Sequence, residues 1–121
     1  MTLQQILRDL AETHHGEWVA LRRHLHAHPE LSFQEHETMA FVAQQLEAWG
    51  IEHETHVTDT GIVAHVYGTD PDSRFVALRA DMDALPIQEA NDVPYASTRP
   101  GVMHACGHDV HTTSLLGAIQ L

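Results

Sequence analysis

The stretch Gly101-Val102-Met103-His104-Ala105-Cys106-Gly107-His108-Asp109-Val110-His111 gathers the only cysteine of the chain with three of its 12 histidines and an aspartate. Thiolate, imidazole and carboxylate are soft to borderline metal ligands. Cys106 and His108 stand two residues apart. On a helix their side chains would diverge by roughly 200°, whereas an extended segment points both to one side. A metal shared by the two therefore calls for a loop or a strand end, and Gly107 between them lets the backbone turn or approach closely. Asp109 reads as the N-cap of a helix running from Val110 to Leu121. Taken alone, a single cysteine is commonly an inert buried side chain, so the surrounding sequence has to decide.

Together with Leu78-Arg79-Ala80-Asp81-Met82-Asp83-Ala84-Leu85-Pro86, the segment from Met103 to Asp109 resembles the metal-dependent amidohydrolases that cleave N-acyl amino acids. This metallopeptidase-type family includes aminoacylases, hippurate hydrolases and the plant hydrolases of auxin conjugates. Arg22-Arg23, His26, Pro29-Glu30-Leu31, Phe33, Glu35, Thr38 and Thr60-Gly61 match it in the same order. The resemblance runs over most of the chain and covers only the start of the family's length.

The resemblance implies that Cys106 bridges two metal ions and His108 binds one of them, while Asp83 orients a ligating histidine. The other ligands, a glutamate and two histidines, and a general-base glutamate would lie downstream. Asp81 occupies the position where many distant relatives carry a metal-binding histidine. Its role stays open, as do those of His104, Asp109 and His111. The implied fold is α/β, the N-terminal part of a three-layer α/β/α catalytic domain with a mixed sheet. Residues 1–121 would form part of that domain, without its remainder or the dimerisation and lid domain. Two divalent transition ions (Mn, Zn, Co or Ni), a small N-acyl amino acid substrate and a homo-oligomeric parent complete the implied picture. The runner-up reading is a catalytically inactive fragment that at most binds a metal ion. A thiol hydrolase would use Cys106 as nucleophile, but the metal reading accounts for more of its neighbours. A zinc deaminase would need His-x-Glu and Pro-Cys-x-x-Cys, and both are absent.

Composition sets outer bounds. The length, 121 residues, suits one domain, and 43% hydrophobic with 19% charged residues is the balance of a globular chain. A formal net charge of -11 argues against nucleic acid and anionic membrane surfaces as partners. One cysteine permits no internal disulfide, and neither a signal-peptide pattern nor a membrane-length apolar run is present. A reducing, cytoplasmic setting is the default expectation.

Periodicity predicts the remaining elements. Leu3, Leu7, Leu10, Trp18, Leu21 and Leu25 form a helical stripe with Thr2 as cap, a weak point at His14-His15-Gly16, and an end enforced by Pro29. Ser32 and Glu35 have the spacing of a capping box for a second helix with Met39, Val42, Leu46 and Trp49 on one face and Gly50 as stop. The pattern then changes to a period of two, predicting strands over 51–57, 62–67 and 74–80. The last two flank a turn cluster and are expected to pair as an antiparallel hairpin, with Phe75-Val76-Ala77-Leu78 covered on both faces. A long loop follows from Pro86 to Pro100. His24, His26 and His28 read as histidines scattered around a helix end rather than as a metal site. The apolar last helix stops without a cap, so the chain reads as the N-terminal piece of a longer protein.

Overall fold

A computed structural model describes residues 1–121. The order of elements is α1 (Leu3–Ala27), α2 (His36–Ala48), β1 (Glu52–Thr55), β2 (Ile62–His65) and α3 (His108–Gln120). α1 opens with a capping box, in which Gln5 N donates to Thr2 Oγ1 and the Gln5 side chain answers the Thr2 backbone. It runs unbroken through His14-His15-Gly16, so the expected weak point is not a break. It ends one residue before His28-Pro29, as the proline requires. Only the C-terminal half of its stripe is used: Leu21 and Leu25 are buried, while Leu3 and Leu7 are exposed.

α2 stops as expected. Gly50 adopts φ 69°, Gly50 N–H donates to Glu47 O and Ile51 N–H to Leu46 O, the paired bonds of a Schellman motif. Its start differs from the capping box expected at Ser32. Phe33 takes φ 64° and the helix begins only at His36, with no side-chain bond from its N-cap, Glu35. The candidate capping groups are engaged elsewhere: Ser32 Oγ donates to Asp83, and Glu35 accepts from Thr60 Oγ1 at 2.7 Å. The free N–H groups of the first turn are met by Glu30 instead, which accepts from Thr38 N at 2.6 Å and Glu37 N at 3.2 Å. An anionic side chain at a helix N-terminus is favoured by the helix dipole as well as by these bonds.

The sheet is smaller than the sequence suggests. β1 and β2 pair antiparallel in the register Glu52 with His65 through Thr55 with Ile62. The hairpin expected between 62–67 and 74–80 does not form: residues 74–80 adopt no strand, and Phe75, Val76 and Leu78 are exposed by 90, 81 and 69%. Strand character needs a neighbour to take its backbone bonds, and the sheet consists of β1 and β2 alone, with no strand pairing to this segment. The long loop is present and crosses back to the rest of the fold. Leu85 exchanges both backbone bonds with Met103, and Ala84 N donates to Glu30 O at 2.7 Å.

Val42 and Leu46 of α2 meet Leu116 of α3 in the core, flanked by Trp49, Ile51, Ile62, Ala64, Met82 and Ile119. α3 also lies along α1, where Trp18 Nε1 donates to Gln120 Oε1 at 2.7 Å. These contacts fix the N-terminus of α3 beside the segment 81–85, which is where the candidate site lies.

Candidate metal centre

Gly107 takes φ 84° and serves as the N-cap of α3, which a non-glycine residue would adopt only with strain. The helix therefore begins at His108 and not, as expected, after Asp109. Asp109 sits within the first turn, only 1% exposed, and its Oδ2 faces Arg22 Nε at 3.0 Å and His26 Nδ1 at 2.7 Å. It is a buried partner of α1 and not a cap. Two side chains of the first turn, His108 and His111, are three apart and share one face.

The incoming segment supplies the carboxylates. His108 Nδ1 lies 2.8 Å from Asp83 Oδ1 and 2.9 Å from Asp83 O. Asp83 is itself held by Ser32 Oγ at 2.5 Å. With Nδ1 donating to two oxygens, the neutral ring carries its lone pair on Nε2, the form that binds a metal. That Nε2 faces Asp81 Oδ2 at 3.5 Å, and the other oxygen of Asp81 lies 2.7 Å from His111 Nδ1. Thr112 Oγ1 donates to Asp81 O at 2.8 Å, tying the loop to α3. Asp81, His108 and His111 each offer one donor atom, all within 4.8 Å of one another.

Both carboxylates are held below the ordinary range. The hydrogen bond from His111 is the chief cause for Asp81, with the nearby His108 adding to it; the bond from Ser32 leads for Asp83, followed by His108. Burial opposes the shift in each case. Anionic oxygens beside a lone-pair imidazole form a donor set suited to a borderline divalent transition ion.

Cys106 is exposed and free, and no group of three close ligands includes it. Of the sequence candidates, the structure thus brings together His108 and Asp83. His104 is 5% exposed with neither ring nitrogen bonded, and burial pushes its pKa down. The sequence leaves Glu89 unread and matches His26 to the family without a role. His26 is no scattered helix-end histidine: its Nε2 lies 2.9 Å from Glu89 Oε1, opposite the Asp109 contact at Nδ1. Glu89 also accepts from Ser97 N. Burial works against ionisation of Glu89, yet the Ser97 N–H and the His26 ring hold its pKa down to about 2. The one local partner of its carboxylate, Asn91 Nδ2 at 3.2 Å, forms no recognisable motif, and the contacts that define its place come from residues 8 and 63 positions away.

Residues 77–121, which carry Asp81, Asp83, Cys106, His108 and His111, match the sequence model of peptidase family M20/M25/M40. The chain is 51% identical over its whole length to an N-acyl-L-amino acid amidohydrolase of Geobacillus stearothermophilus, of which it covers 32%. It is 50% identical over 85% of its length to an N-acetyl-L-cysteine deacetylase of Bacillus subtilis, covering 24% of that protein. Among solved structures, a dinuclear metal-binding peptidase of the M20 family from Bacillus subtilis superposes with a TM-score of 0.86 at 45% identity, over 90% of this chain and 30% of that one. The resemblance to the M20 metal-dependent hydrolases therefore holds in sequence and in fold, and the fold class is α/β. The chain spans about a third or less of the length of these relatives. No helix is long and apolar enough to cross a membrane.

Proposed function

We propose that residues 1–121 form the metal-binding N-terminal part of the catalytic domain of an amidohydrolase that cleaves the amide bond of N-acyl amino acids. The observation that carries this reading is His108, clamped at Nδ1 by Asp83 with Nε2 directed into an acidic corner, inside the segment that matches the M20 family. In this reading His108 and Cys106 are metal ligands, Asp83 orients His108, and further ligands and the general base come from sequence beyond Leu121. Two divalent transition ions, when bound, would acidify a water and polarise the substrate carbonyl. The residues of this chain hold His108 in its binding tautomer and present a negative surface that attracts a dication. The substrate class is a small N-acyl amino acid, and the complete protein is a cytoplasmic homo-oligomer.

The test is turnover of N-acetyl and N-benzoyl amino acids by a polypeptide extended to the length of its relatives. Cys106→Ser and His108→Ala are each expected to remove most activity and lower metal content. Wild-type turnover in Cys106→Ser would overturn the role given to the thiol.

A further inference from the structure

The end of α1 carries His24, His26 and His28 at a spacing of two. His26 is turned inward, between Asp109 and Glu89. Its two neighbours lie roughly 200° away from it around the helix and are exposed. They stand four apart from each other, a spacing that sets two side chains on one helix face. Their rings are stacked with centroids 4.3 Å apart, and Phe41 of α2 stacks on the other face of His24 at 4.0 Å. The three rings, with Leu25, Glu37 and Thr38, line a concavity of about 150 Å³.

We propose that His24 and His28 form a two-imidazole seat for a divalent transition ion at the C-terminal end of α1, separate from Cys106 and His108. The inference takes nothing from the reading above. Histidines four apart on a helix are spaced to share a Zn²⁺ ion. The tautomer of His28 is set in advance, because its Nδ1 lies 2.7 Å from His24 O and donates to that carbonyl. The lone pair is left on Nε2, the form that ligates. The contacts of the His24 ring are stacking ones, so its nitrogens are not spent on a hydrogen bond. In a tetrahedral site with metal–nitrogen bonds of about 2.0–2.1 Å, two donor atoms lie about 3.3 Å apart. The stacked rings reach that spacing by closing about 1 Å, through rotation about χ2, whose preference is broad.

Charge points the same way. The only basic side chains in the last turn of α1 are histidines, so the negative end of the helix dipole meets no lysine or arginine there and favours a cation. Partial burial, followed by repulsion from His28, pushes the pKa of His24 down and so favours its neutral, metal-binding form. Glu37, on the rim, is committed to Arg99 and is not counted as a ligand. Water completes the coordination, since the chain supplies two donors. An ion held here clamps the corner between two helices, because Glu30, two residues beyond His28, holds the first N–H groups of α2. The competing arrangement is a stack of three rings that packs α1 on α2 and has no use for a metal. Such a stack survives replacement of His24 by phenylalanine, whereas the seat loses a ligand.

The experiment is a titration of the 121-residue chain with Zn²⁺, and separately with Mg²⁺, followed by nuclear magnetic resonance of the histidine ring nitrogens. Each ring reports for itself, so an ion bound at His108 is seen apart from one bound at the end of α1. The His24 and His28 rings are expected to shift together and saturably with Zn²⁺ and to ignore Mg²⁺, as two imidazole donors require. His24→Phe, which keeps a ring in the stack, and His28→Gln should each weaken binding at the remaining histidine by more than about tenfold, the lower bound for loss of a partner that only supports a ligand. Far-ultraviolet circular dichroism checks that both exposed-site variants keep their helices. Zn²⁺ shifts confined to other histidines overturn the seat, as does an equal response to Mg²⁺. Unchanged Zn²⁺ affinity of His28 in folded His24→Phe also overturns it, since a lone imidazole is then the whole site. Failure of the amidohydrolase reading is seen separately, as absent turnover in the extended polypeptide.

Discussion

Asp83 Oδ1 lies 2.8 Å from His108 Nδ1, joining the loop before the long 86–100 segment to the first residue of α3. The pair leaves Nε2 as the lone-pair nitrogen and sets the direction of the ring. Asp83→Asn keeps the shape but replaces an anionic acceptor with an amide that presents a donor as readily as an acceptor. Metal affinity is expected to fall roughly 10–100-fold, as for other partners of ligating histidines. Competition against a chromophoric chelator measures it, and unchanged affinity would show that His108 needs no orientation from Asp83.

Leu46 is 2% exposed and meets Val42 and Leu116, so α2 and α3 are joined through it. Leu46→Ala removes buried methyl groups and leaves a cavity, for about 2–5 kcal/mol of destabilisation. Only seven hydrophobic residues make up the buried core, so this loss falls on a small one. Urea denaturation followed by circular dichroism is expected to show a midpoint well below that of the wild type.

Much of this arrangement is legible locally, and the exceptions share one cause. Thr2, Pro29 and Gly50 act through bonds or backbone limits within a few residues, and each marks its helix end as the sequence suggests. The Asp83–His108 contact follows from two motifs that lie 25 residues apart. The false N-caps at Ser32 and Asp109 arise because both side chains have long-range partners, Asp83 for the first and His26 with Arg22 for the second. Spacing rules rank local bonds only and cannot see these competitors. The strand predicted over 74–80 fails for a related reason, since its apolar run reports a capacity for pairing and not the presence of a partner.

The Glu89–His26 contact predicts a pH dependence. Glu89 is held at about 2 against an ordinary 4.5, so folding favours its charged form. A depressed carboxylate gives stability that is fully present above about 4.5 and lost as pH falls toward 2. Glu89→Gln should therefore flatten the stability profile between those limits and lower stability at neutral pH. Denaturant midpoints measured across that range test the sign, and a parallel wild-type and variant profile would exclude Glu89 as its source.

Phe75, Val76 and Leu78 place a contiguous apolar, strand-forming run in solvent. An unpaired segment of this kind offers its backbone and side chains to another chain. The chain is expected to self-associate as concentration rises, and Val76→Lys to shift it toward monomer by adding a charge within the run. Sedimentation velocity distinguishes the two, and equal association in both would place the contact elsewhere.

The 121-residue chain is expected to bind metal without hydrolysing amides. Amide hydrolysis requires an activated water, a base to receive its proton and a group to stabilise the oxyanion. Within this chain the carboxylates at the candidate site are already committed: Asp83 accepts from Ser32 and His108, and Asp81 faces His108 and His111. Neither is free to take a proton from a metal-bound water without giving up a contact that positions a ligand. Catalytic groups that act as a unit lose nearly all their effect when one is missing, so a seated ion alone should give no turnover. The chain loaded with Mn²⁺, Zn²⁺ or Co²⁺ is to be assayed on several N-acyl amino acids beside His108→Ala prepared identically. Metal-dependent turnover present in the wild-type chain and absent from the variant would show that these 121 residues hold a working base, with Asp81 the first to test by Asp81→Asn.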